Sequence, residues 1–92
     1  MNGNGKGGPK VEFEHVGTSR EVDFHASDED TLQQLWDKAV ELLKEPRGPE
    51  DRLQSFKGTD LMPHLSLTLK QLKDQKIIDA RKFQIVGPTG GA

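Results

Sequence analysis

The chain predicts an α+β fold, a mixed sheet with one long helix laid across it. Three observations predict it. Two early stretches, KVEFEH and REVDFH, alternate apolar and polar residues with period two. A following stretch, TLQQLWDKAVELLK, repeats its apolar residues at helical spacing. A late stretch, KFQIV, returns to period two. Strands on both sides of a helix imply a sheet that the helix covers on one face. A chain of 92 residues holds one domain with one core.

Residues 1–9 are mostly Gly and Asn, with nothing to bury, and are expected to be disordered. From Lys10 the pattern changes. Val11 and Phe13 alternate with Glu12 and Glu14, and Val22 and Phe24 alternate with Asp23 and His25. That is the period of a half-buried strand. A hairpin centred on Gly17-Thr18 sets Phe13 opposite Val22 and Val11 opposite Phe24. All four then face one side, whereas a one-residue slip would turn one pair into water.

Thr31, followed three residues later by Gln34, makes a capping box. Asp28, Glu29 and Asp30 stand ahead of it, at the positive end of the coming helix dipole. Leu32, Leu35, Ala39 and Leu42 fall on one helical face, with Trp36 and Leu43 flanking it. The helix is expected over about 32–44, stopped by Pro46. Trp36 is expected to cover the edge of the core.

After the helix, Arg47 to Glu50 reads as a turn, and Arg52 to Gly58 as a short strand ending at a glycine. Leu53 and Phe56 lie on opposite faces of a regular strand, so a bulge or partial exposure is implied. Leu61 to Leu69 is ambiguous, because Leu65, Leu67 and Leu69 alternate while Pro63 argues for an edge or a loop. Thr68 to Ile78 has room for a short helix packing Leu69 and Leu72. Lys82 to Val86 is the last strand, with Phe83 and Ile85 on one face. That strand fits in the middle of the sheet beside the first, which is the β-grasp arrangement. The domain is expected over residues 10–86, with a flexible tail over 87–92. Phe13, Val22, Phe24, Leu35, Ala39, Leu42, Phe83 and Ile85 are its expected core.

Composition excludes several function classes. The absence of Cys removes a disulfide framework, a thiolate zinc site and a cysteine nucleophile together. No apolar run approaches the roughly 20 residues that span a bilayer. The N-terminal stretch lacks the apolar core of a signal peptide, so a cytoplasmic protein away from membranes is expected. Residues 26–45 carry two basic and six acidic side chains, and residues 46–86 carry eight basic and five acidic. Neither half forms the dense basic stripe that nucleic acid requires. His15, His25 and His64 stand in separate segments. The hairpin register sends His15 towards the turn and His25 to the far end, so no shared metal site is expected. GNGKGG, residues 3–8, has neither a preceding strand nor the Ser or Thr of a phosphate loop. No Ser-His-Asp order stands out, and neither an enzyme nor a cofactor is expected.

Several stretches resemble ubiquitin. EDTLQQLWDKAV is similar to the start of its helix, including the capping threonine. PEDRLQSFKGTDL is similar to its proline, strand, FAG turn and leucine, with Phe56, Gly58 and Leu61 in matching places. TLKQLKDQKIIDARKFQIV is similar to its later TLSDYNI segment and last strand, and a diglycine, Gly90-Gly91, follows. The resemblance runs from Lys10 to Gly91. It implies a ubiquitin-like β-grasp protein of the bacterial type, a monomer that works with an ATP-dependent activating enzyme, a conjugating enzyme and a JAB-type processing protease. It places Ser55 where ubiquitin has an exposed isoleucine, so ubiquitin's own receptors are not expected to bind. It also sets VGPT where ubiquitin has a basic tail.

The resemblance further implies a chemistry for the tail. Ala92 is removed, the Gly91 carboxylate is adenylated, and the glycine passes through an enzyme thiol to the amine of a target protein. Gly90 and Gly91 suit a narrow channel, since no side chain hinders close and aligned approach at the carbonyl. The short uncharged tail is also similar to that of the β-grasp sulfur carriers, in which the same glycine bears a thiocarboxylate. A ubiquitin-like interaction domain that is never conjugated is the remaining alternative.

Overall fold

The computed structural model describes residues 8–45 and 48–87. Strands β1 (Lys10–His15) and β2 (Arg20–His25) lead to helix α1 (Leu32–Leu43). Strand β3 (Arg52–Ser55), a 3-10 turn (Met62–His64), helix α2 (Leu69–Asp74) and strand β4 (Lys82–Val86) follow. The four strands form one mixed sheet in the order β2-β1-β4-β3. β1 and β2 are antiparallel, β3 and β4 are antiparallel, and the central pair β1 and β4 is parallel. The molecule is a small α+β domain with one long helix.

The hairpin adopts the register that its pattern dictates, Phe13 opposite Val22 and Val11 opposite Phe24. On the inner face Phe13 stacks on Phe24 with centroids 5.9 Å apart and meets Phe83 at 4.9 Å. Val11, Phe13, Phe83 and Ile85 are buried, and Leu53 joins them from β3. Val22 and Phe24 pack against this cluster but are only half-buried. They lie on β2, an edge strand, so a neighbour covers them from one side only.

Helix α1 closes the core with Leu32, Leu35, Trp36, Ala39 and Leu43. The expected Leu42 is instead exposed, at 41%. At 3.6 residues per turn, Leu32, Trp36, Ala39 and Leu43 lie within about 60° of one another, and Leu42 falls at the edge of the apolar arc, roughly 20° beyond the buried Leu35. Leu43 therefore takes the buried place, and Trp36 is buried with it. The helix starts with the capping box of Thr31 and Gln34. It ends at Lys44, whose left-handed φ of 59° turns the chain while its amide still donates to the Val40 carbonyl. Pro46 lies outside the described residues.

The ambiguous stretch 61–69 divides between the 3-10 turn and the start of α2. Leu69 and Leu72 of α2 are buried, as their spacing predicts. α2 carries a second capping box, Thr68 with Gln71. The two helix starts lie side by side. The Leu32 amide donates to the Leu67 carbonyl, and the Leu69 amide to the Asp30 carbonyl, each at 2.9 Å. One further along, the Gln33 amide donates to Leu65 and the Lys70 amide to Asp28, both at 3.0 Å. The segment leading into each helix thus satisfies the orphan amides of the other helix. No helix among the described residues is long and apolar enough to cross a membrane.

Candidate functional site

Gly90, Gly91 and Ala92, the residues singled out from the sequence, lie outside the described residues, as do residues 1–7 of the N-terminal segment. What the structure describes is the place from which the tail departs. β4 enters the centre of the sheet because Phe83 and Ile85 must reach the core while both of its edges find partners. Its last residue, Val86, pairs with Arg52 of β3, and the Ile85 carbonyl accepts from the Val16 amide at 3.0 Å. β4 is therefore held along both sides up to its end. Gly87 lies beside Asp51, whose carboxylate accepts from the Gly48 amide at 2.8 Å.

The turn after β3 forms the neighbouring surface. Leu53 and Ser55 point inwards and Ser55 is 4% exposed. The resemblance to ubiquitin set Ser55 at an exposed position, and the pleat does the reverse. Its hydroxyl accepts from the Lys57 and Thr59 amides at 3.3 and 3.1 Å. Gly58, at φ +96°, completes the turn by donating to the Ser55 carbonyl. Phe56 falls on the opposite face and is 43% exposed. It is the large apolar side chain that this side of the sheet offers to solvent. Lys57 and Lys82 each hold an ammonium 6.0 Å from its ring centroid.

Ion pairs surround this surface. Arg52 meets Asp60 at 2.6 Å and Lys57 meets Asp79 at 2.5 Å. The Met62 amide, followed by the Arg52 guanidinium, holds the Asp60 carboxyl below its ordinary value. Lys57 does the same for Asp79. On α2, Asp74 raises Lys70 above its ordinary value. All these groups are solvent-exposed, where single pairs contribute little to stability.

His15 and His25 stand at opposite ends of the hairpin, opposite Arg20 and Lys10 respectively. Among the described residues no group of three or more His, Asp and Glu side chains is placed to hold a metal ion. One feature was legible in the hairpin register but not singled out from the sequence: Glu12 faces Asp23, and Glu14 faces Glu21, on the outer side of the sheet. No family model matches the chain, and no curated protein matches it.

Proposed function

We propose that the chain is a β-grasp, ubiquitin-like protein modifier of the cytoplasm, activated at the Gly91 carboxylate once Ala92 has been removed. The observation that carries this reading is the sheet order β2-β1-β4-β3 with a parallel centre, from whose last strand the sequence runs on to a diglycine. A central strand paired on both sides is a firm base from which to pull on a tail. Gly91 stands five residues beyond Val86, and five residues span at most about 17 Å. That length brings a carboxylate into an enzyme cleft while the domain stays outside.

In this reading the chain supplies an electrophile and its partners supply the catalysis. An ATP-dependent activating enzyme forms the acyl-adenylate, releasing pyrophosphate. A cysteine thiolate displaces AMP, and the thioester passes through a conjugating enzyme to a target amine. A JAB-type protease removes Ala92 beforehand. The uncharged VGPT segment ahead of the diglycine favours a second reading, a sulfur carrier whose Gly91 ends in a thiocarboxylate.

An N-terminally tagged chain produced in its native cell tests the modifier reading. Covalent species of higher mass should survive denaturing electrophoresis and disappear when Gly90 and Gly91 are both replaced by Val. Such species persisting in the double variant would remove Gly91 from the mechanism. Their absence in the unaltered chain, together with a C-terminal thiocarboxylate, would select the carrier.

A further inference from the structure

The outer face of the sheet bears charges that the fold does not need. Glu12 lies directly opposite Asp23, and Glu14 directly opposite Glu21. Like charges directly opposed across antiparallel strands destabilise the pair. Relief is slight. Lys10 approaches Asp23 only to 3.9 Å, with both side chains more than half exposed. The Gln84 side-chain amide donates to Glu14 at 3.3 Å. Lys82 is the register partner of Glu12, yet its ammonium stands by the Phe56 ring and forms no ion pair among the described residues. Neutral polar residues at these four positions would serve the hairpin better.

Carboxylates alone would be a solvated surface. Phe56 changes the reading, because it opens on the same side of the sheet. A shallow depression of about 300 Å³ joins Glu12, Glu14 and Glu21 to Lys82, Gln84 and Phe56. Phe56, with the Lys57 and Lys82 ammoniums 6.0 Å from its ring and the carboxylates beyond them, offers a partner an apolar anchor beside charges to pair. Polyanions such as nucleic acid or an acidic membrane are repelled by the four carboxylates. A small cation is too small to cover the ring as well. From β2 to β3 is three interstrand steps, roughly 14 Å, which an extended segment of four or five residues crosses.

We propose that this face docks a basic, extended segment of a partner protein, its lysine or arginine side chains along the Glu12–Asp23 and Glu14–Glu21 pairs and an apolar side chain over Phe56. The site is independent of the use made of the diglycine, and its test does not involve the tail.

The test is an NMR titration of the full chain, labelled with nitrogen-15, using a five-residue peptide of alternating lysine and leucine. A peptide of alternating glutamate and leucine is the control. The basic peptide should shift the amides of β1, β2 and Phe56 and saturate within the millimolar range. The control should leave them in place. Replacing both Glu12→Gln and Glu21→Gln should weaken binding about tenfold, the effect expected of losing charge complementarity at a docking surface. The same change should raise the melting temperature, so lost binding cannot be ascribed to unfolding. Phe56→Ser should weaken binding without abolishing the charge effect. Shifts equal for the two peptides, shifts centred elsewhere, no shift at millimolar peptide, or binding untouched by the substitutions would each overturn the proposal.

Discussion

Ser55 is the one buried polar side chain among the described residues, and its hydroxyl is the hub of the turn that presents Phe56. Removing it leaves the Lys57 and Thr59 amides without that acceptor in a partly buried place. Ser55→Ala should cost about 1–3 kcal/mol, measured by urea denaturation. Gly58 sits where side chains are strained, with nothing to meet an added Cβ. Gly58→Ala should therefore lose about 1–2 kcal/mol from backbone strain alone. Ser55 also shows how local patterning and family likeness compete. Counting in twos from Leu53 puts Ser55 inside and Phe56 outside, as found. Matching the FAG turn of ubiquitin put Ser55 on the surface. The pleat is the stronger guide, because it follows from backbone geometry.

Helix α1 illustrates legibility at the scale of an element. Its start was visible in the Thr31–Gln34 spacing, and its end within a residue. The choice between Leu42 and Leu43 was not, because adjacent residues near the edge of an apolar arc differ only by where the sheet lies. Leu35→Ala should cost about 2–5 kcal/mol, since the side chain is 2% exposed. Leu42→Ala should change stability by no more than about 0.5 kcal/mol. The box of Thr68 and Gln71 follows the same spacing rule but was obscured by the alternating leucines before it. The two helix starts exchange backbone hydrogen bonds, so their caps should not act independently. Thr31→Ala and Thr68→Ala should each cost about 1 kcal/mol. The double variant should depart from additivity by about 0.5 kcal/mol or more in a mutant cycle. Strict additivity would mean that the paired starts do not act as one unit.

For the whole molecule, the hairpin and the place of the last strand beside the first were legible because each strand shows which face it buries, whereas the place of β3 was not read from its four residues. The balance of charge on the outer face was not weighed, because single charged residues read as solvated until a register sets them against one another. Stability against pH follows from the ion pairs. Asp60 and Asp79 lie below the ordinary 3.8 when folded, so their contribution is present above that value and is lost as pH falls through their folded values. Lys70 lies above the ordinary 10.5, so its contribution is present below that value and is lost as pH rises through its folded value. These groups add no slope across the neutral range. Melting temperatures of wild type and of Asp60→Asn with Asp79→Asn should differ by a constant amount between pH 6 and 8 and converge in strong acid.

The central claim is that the carboxylate of Gly91 is the group through which this molecule acts. Mass spectrometry of the protein purified from its native cell tests it most directly. The account predicts loss of Ala92 and a Gly91 carbonyl joined by an isopeptide bond to a lysine of another protein. Replacement of one oxygen by sulfur at Gly91 would move the account to the carrier. Ala92 retained on essentially every molecule, with activating and processing enzymes present, would contradict it.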